Sequence, residues 1–145
     1  MKKTRFSTTI QAPKEKVWRV LWDDSSYSLW TEPFSPGSRA ITDWQEGSKV
    51  VFTASDEGGM YSVIEKKIPN EFMSFKHLGE LKDGQEQPWD AKNQDWAGAL
   101  ENYTLTETDG ATTLLVEIDI AEDHQPYFEE AFPQALAKVK ALAEQ

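Results

Sequence analysis

Two apolar runs, Gly98 to Thr106 and Thr112 to Ile120, flank the dipeptide Asp109-Gly110, and no other stretch of the chain constrains the fold as tightly. An Asp-Gly pair readily adopts the left-handed backbone of a two-residue hairpin turn, so the two runs should pair as neighbouring antiparallel strands. Their alternation puts Tyr103 and Leu105 on one face with Leu114, Val116 and Ile118, and Glu101 shares that parity. This face should look into the core.

The rest of the chain reads around that hairpin. Lys3 to Gln11 is β-branched and aromatic enough for a first strand. Pro13 then opens a short amphipathic helix on which Val17, Val20 and Leu21 recur at helical spacing. Asp23-Asp24-Ser25-Ser26 is rich in capping residues and starts a second short helix through Tyr27, Leu29 and Trp30. Pro33, Pro36 and Gly37 close that region as a loop. Strands follow over Arg39 to Trp44, Lys49 to Ala54, Met60 to Ile68 and Phe72 to Leu78. A polar segment, Gly79 to Trp96, interrupts the pattern before the hairpin. The C-terminal stretch carries Phe128, Phe132, Ala135, Val139 and Leu142 on one helical stripe, with Pro126 in its first turn. Pro133 falls inside that helix and should kink or break it. One strand, two short helices, several strands and a final helix make a single α+β domain over residues 1–145.

Composition narrows the function. A net charge of −10 opposes binding to nucleic acid and to anionic membrane surfaces. No stretch approaches the ~18 consecutive apolar residues of a spanning helix. The chain has no cysteine, which excludes thiol nucleophiles, zinc-thiolate sites and disulfides, and fits a cytoplasmic location. Met1-Lys2-Lys3-Thr4-Arg5 is basic with no apolar run behind it, so no signal peptide is expected. Six tryptophans and seven phenylalanines supply the large rigid side chains that line both cores and ligand cavities.

Several segments also carry a family resemblance. They are Ala12-Pro13-Lys14-Glu15-Lys16-Val17-Trp18, Asp43 to Val50, and Tyr61 to Asn70 with Phe72 following. The hairpin Tyr103 to Glu107 and Thr112 to Val116, and Ala135 to Lys140, complete the set. In this order they resemble the helix-grip (SRPBCC) superfamily of the START and birch-pollen-allergen kind. Within it they are similar to the branch named after the activator homologue of a heat-shock chaperone ATPase. The resemblance implies a curved antiparallel sheet of about seven strands wrapped around a long C-terminal helix, with two short helices after the first strand. It also implies a hollow between sheet and helix. A small apolar or amphipathic molecule would sit there. The alternatives are a chaperone cofactor of the stress response and a cavity enzyme of cyclase, dehydratase or hydrolase type.

Strand parity then names the residues expected around that hollow. Val50, Phe52 and Ala54 share a face, as do Tyr61 and Val63, while Met73, Phe75 and His77 should point inward. Trp30, Phe52, Tyr61, Phe75, Trp96, Tyr103, Phe128 and Phe132 are the expected apolar lining. His77 is either a proton donor or acceptor near neutral pH or a satisfied hydrogen-bonding residue at the rim. Glu101 anchors a ligand or acts as a general base if it lies inward. A place at the solvated edge of its strand is the more economical reading, since one misjudged register turns it outward. The segment Gly79 to Trp96 is either a lid, with Gly79 and Gly84 as flexible points, or a surface loop.

No catalytic signature is readable. No serine sits in a nucleophile elbow, and the glycines form no phosphate-binding pattern. No cofactor and no metal is expected, since His77 and His124 have no ligand spacing and Asp23-Asp24 suits a helix cap better than a calcium site. The expected partner is a small hydrophobic molecule. A chaperone and a homodimer stay open.

Overall fold

The computed structural model describes residues 2–90, 94 and 96–145. In chain order the elements are β1 (Lys2–Ile10), α1 (Lys14–Trp22), α2 (Asp24–Trp30), β2 (Arg39–Ile41), β3 (Lys49–Thr53), β4 (Gly59–Ile68), β5 (Phe72–Lys82), β6 (Gln85–Pro88), β7 (Leu100–Thr108), β8 (Ala111–Ile120) and α3 (Gln125–Ala143). The strands form one antiparallel sheet in the order β1-β8-β7-β5-β4-β3-β2, with β6 paired to β5 outside that path. The sheet is curved around the long α3, and α1 and α2 pack beside it: this is the helix-grip architecture. No helix among the described residues is long and apolar enough to cross a membrane.

The hairpin turns as its dipeptide requires, with φ of 53° at Asp109 and 80° at Gly110. It pairs Leu105 with Leu114, Tyr103 with Val116 and Glu101 with Ile118. Paired residues share a face, so Glu101 enters the interior with them.

Several expectations need correction. The strand expected to end at Leu78 runs on to Lys82 and folds back as β6 through a second Asp-Gly turn, Asp83 at φ 53° and Gly84 at 76°. The first part of the expected lid or loop is therefore a hairpin, and its later part, residues 91–93 and 95, lies outside the described residues. Nor is Gly79 a flexible point: a Cβ there would stand 2.4 Å from Tyr61 Oη and 2.5 Å from the Gln87 carbonyl oxygen, so the glycine permits close strand approach. The strand expected over Arg39 to Trp44 stops at Ile41, and Trp44 turns left-handed at φ 60°.

The helix expected to kink or break at Pro133 is not broken there. It is continuous from Gln125 to Ala143 because Ala131, Phe132, Ala135, Leu136, Val139 and Ala143 are all buried along its inner side. Pro133 and Glu129 are exposed, so the carbonyl that loses its partner at Pro133 faces water instead of the core. Phe132 stacks on Phe6 of β1 with ring centroids 4.7 Å apart, which fixes the helix over the sheet.

Candidate ligand pocket

Aromatic side chains pack much of the space between sheet and helix into one block. Trp22 of α1 lies at their centre, its ring 5.0 Å from Tyr103, 5.4 Å from both Phe75 and Trp44, and 6.1 Å from Trp18. Trp30 closes the block from α2 and donates its indole N–H to the Leu21 carbonyl oxygen at 3.1 Å. That bond removes the polar cost of burying the indole and locks α2 against α1.

Beyond the block a pocket of about 310 Å³ remains, between α2, β3, β7 and the first half of α3. Trp30, Phe52, Glu101, Tyr103, Phe128 and Phe132 all line it, and Arg39 and Asp56 stand exposed at its mouth. Four expected residues do not line it. Phe75 lies beneath, 5.1 Å from Phe52, as a wholly buried core ring. Trp96 packs 6.4 Å from Phe128 on its far side. His77 lies behind the lining, hydrogen-bonded to Glu101 and 6.3 Å from the Phe52 ring.

Tyr61 is on the opposite face. Val50 pairs with Ser62 and Phe52 with Met60, so β4 turns Met60, Ser62 and Ile64 inward and Tyr61 and Val63 outward. Two register shifts between β4 and β5 accompany this, between Tyr61 and Ser62 and between Ile64 and Lys66. Alternation alone carries no sign, and the β3–β4 pairing supplies it.

The polar part of the site is a chain of four side chains from three strands. Ser62 Oγ lies 2.7 Å from His77 Nδ1, and His77 Nε2 lies 3.2 Å from Glu101 Oε1. The Tyr103 hydroxyl donates to Glu101 Oε2. A carboxylate only accepts, so His77 donates from Nε2, and in a neutral ring Nδ1 accepts the Ser62 hydroxyl. Every group is then satisfied with no lysine or arginine among the described residues involved. Ser62 and His77 are fully enclosed, at 0% and 1% exposure, while the Glu101 side chain keeps 18%. Glu101 and Tyr103 are the members that meet the pocket. The solvated-edge reading of Glu101 is thus corrected: its pairing with Phe75 on one side and Ile118 on the other holds it inside the sheet.

The carboxylate also acts on its neighbours. Burial, then the charge of Glu101, pushes the Tyr103 phenol well above its ordinary range, and Tyr27 rises for the same two reasons. Both phenols stay protonated, and the Tyr103 hydroxyl serves as a donor. Among the described residues no group of three His, Asp or Glu side chains is placed to hold a metal.

Ser62 and β6 escaped the sequence reading. Asp83-Gly84 was a legible signal for β6, since it is the same dipeptide that marks the other hairpin. Ser62 had none, because a serine in a strand looks the same whether or not it meets a histidine.

The fold defines a domain of the helix-grip class. Residues 11–144 match the family model described as "Activator of Hsp90 ATPase homolog 1-like protein", and the chain belongs to this family within the SRPBCC superfamily. No curated protein matches the sequence. Among solved structures it is similar to the Aha1 dimer from Colwellia psychrerythraea, at 18% identity and a TM-score of 0.76, over 99% of this chain and 97% of that one. Protein MLL2253 from Mesorhizobium loti is similar at 19% identity and a TM-score of 0.72, over 97% and 96% of the two chains. CalU16 from Micromonospora echinospora shares 15% identity at a TM-score of 0.69, over 97% of this chain and 65% of that one. These likenesses concern the fold.

Proposed function

We propose that the domain holds a small, mainly apolar molecule in the pocket between β3, β7, α2 and α3, with a polar group of that molecule against Glu101. The observation that carries this reading is the open volume of about 310 Å³ beside an otherwise filled aromatic interior. It lies at the lower end of the roughly 300–1,000 Å³ typical of ligand sites, and it combines aromatic walls with a few polar groups, Glu101 among them, as such sites do.

A thermal-shift screen against hydrophobic metabolites tests it. A tight ligand at a hundredfold excess over its Kd stabilises the fold by ~2.7 kcal/mol. Met60→Trp, which puts a large ring into the pocket from β4, should remove that shift. A library that leaves the melting temperature unmoved would overturn the reading.

Two other readings have specific support. The enclosed chain Ser62–His77–Glu101–Tyr103 suits an acid–base enzyme of cyclase, dehydratase or hydrolase type, with Glu101 as the group nearest a bound molecule. Turnover of a bound ligand that Glu101→Gln abolishes while binding persists would establish it. The family description supports a chaperone cofactor working through the acidic surface, and a second copy of this chain as partner. Capture of a chaperone at low salt, and the mass in solution, test these two points.

A further inference from the structure

We propose that the pocket selects a protonated amine carried on an apolar, ring-sized body, with the ammonium seated against the Glu101 carboxylate. This deepens the ligand-binding reading above and rests on it.

The charge inventory of the pocket supports this. Among the described residues, its charged lining residues are Arg39, Asp56 and Glu101. Arg39 and Asp56 are exposed at the mouth, carry opposite signs and are solvated, so they leave little net field within. Glu101 stands deeper, with an 18% exposed side chain, and no lysine or arginine among the described residues pairs with it. Its two protein partners, His77 and Tyr103, supply one hydrogen bond to each oxygen. A carboxylate offers about four acceptor positions, so roughly two remain for a ligand.

The carboxylate is thus held in place by an imidazole N–H and a phenol O–H, with no lysine or arginine among the described residues against it, in surroundings drier than bulk water. A cation brought to it gains more there than at the surface, whereas an anion is repelled. The walls agree, because Phe52, Tyr103 and Phe128 present aromatic rings that tolerate a cation at their faces. The raised tyrosines add no competing negative charge. Beyond the pocket, the net charge of −10 concentrates cations near the protein.

Three indole probes with one ring system and different heads test the selection by calorimetry at neutral pH: tryptamine, tryptophol and indole-3-propionate. Tryptamine should bind about tenfold tighter than tryptophol, with indole-3-propionate weakest. Glu101→Gln should bring tryptamine to within about twofold of tryptophol while tryptophol binding persists. Tyr103→Phe removes one donor and leaves the carboxylate, so the amine preference should survive. This variant and the wild-type series decide the matter even if Glu101→Gln fails to fold. Tryptophol binding as tightly as tryptamine would overturn amine selection and leave the ligand-binding reading standing. If no probe binds and the apolar library is also silent, both fall together.

Discussion

Glu101 Oε1 stands 3.2 Å from His77 Nε2 across the pairing of β7 with β5, and the other ring nitrogen of His77 closes on Ser62 of β4 at 2.7 Å. One imidazole therefore ties three adjacent strands together inside the sheet. His77→Leu would strand both the Ser62 hydroxyl and one carboxylate oxygen, and should lower the unfolding free energy by about 2–3 kcal/mol. Glu101→Gln keeps an accepting oxygen and should cost about 1 kcal/mol. Urea unfolding of the two variants checks the order, and equal losses would contradict the network.

Gly79→Ala should destabilise by about 1–3 kcal/mol, the usual range for an overpacked site. The added methyl meets Tyr61 Oη at 2.4 Å and the Gln87 carbonyl oxygen at 2.5 Å. Tyr61→Ala in the same chain should restore only part of the loss, since the carbonyl is backbone and cannot withdraw. A complete rescue in thermal melts would show that the β5–β6 hairpin yields more readily than its geometry implies.

Pro133→Ala should raise stability by about 1–3 kcal/mol, because it restores a helix donor at an exposed position without disturbing the buried stripe beside it. Denaturant midpoints compare the two chains. A loss on this substitution would mean that the proline shapes α3 for its seat on Phe6.

Glu144 follows α3 and accepts a hydrogen bond from the Gln11 backbone N–H at 2.8 Å and another from Lys140 at 2.6 Å. The Gln11 bond, then that to Lys140, holds its carboxyl below the usual range. A lowered native pKa means that the unfolded chain takes up the proton first as pH falls. The contribution is therefore complete above the ordinary glutamate range and fades as pH drops through and below it. Melting temperatures of wild type and Glu144→Gln should differ at neutral pH and converge in acid. A gap that persists in acid would assign the effect to something other than this carboxylate.

The architecture was largely legible in the chain, for reasons local to each element. Asp109-Gly110 demanded a hairpin, the spacing of Val17, Val20 and Leu21 demanded a helix, and the C-terminal stripe demanded a second one. The same local logic overruled itself at Pro133, where burial on the opposite side of the helix outweighed one missing hydrogen bond. Asp83-Gly84 was equally local and was obscured by the polar residues around it.

The sequence by itself determined which residues alternate with which: Glu101 with Tyr103 and Leu105, and His77 with Phe75 and Met73. Only the tertiary structure decided which face was inward on β4, through the pairing of Val50 with Ser62, and so turned Tyr61 out and Ser62 in. It alone brought Ser62, His77 and Glu101 together from three strands and left the pocket beside them. The physical reason is that periodicity is a property of one strand, whereas register and facing depend on partners distant in the chain.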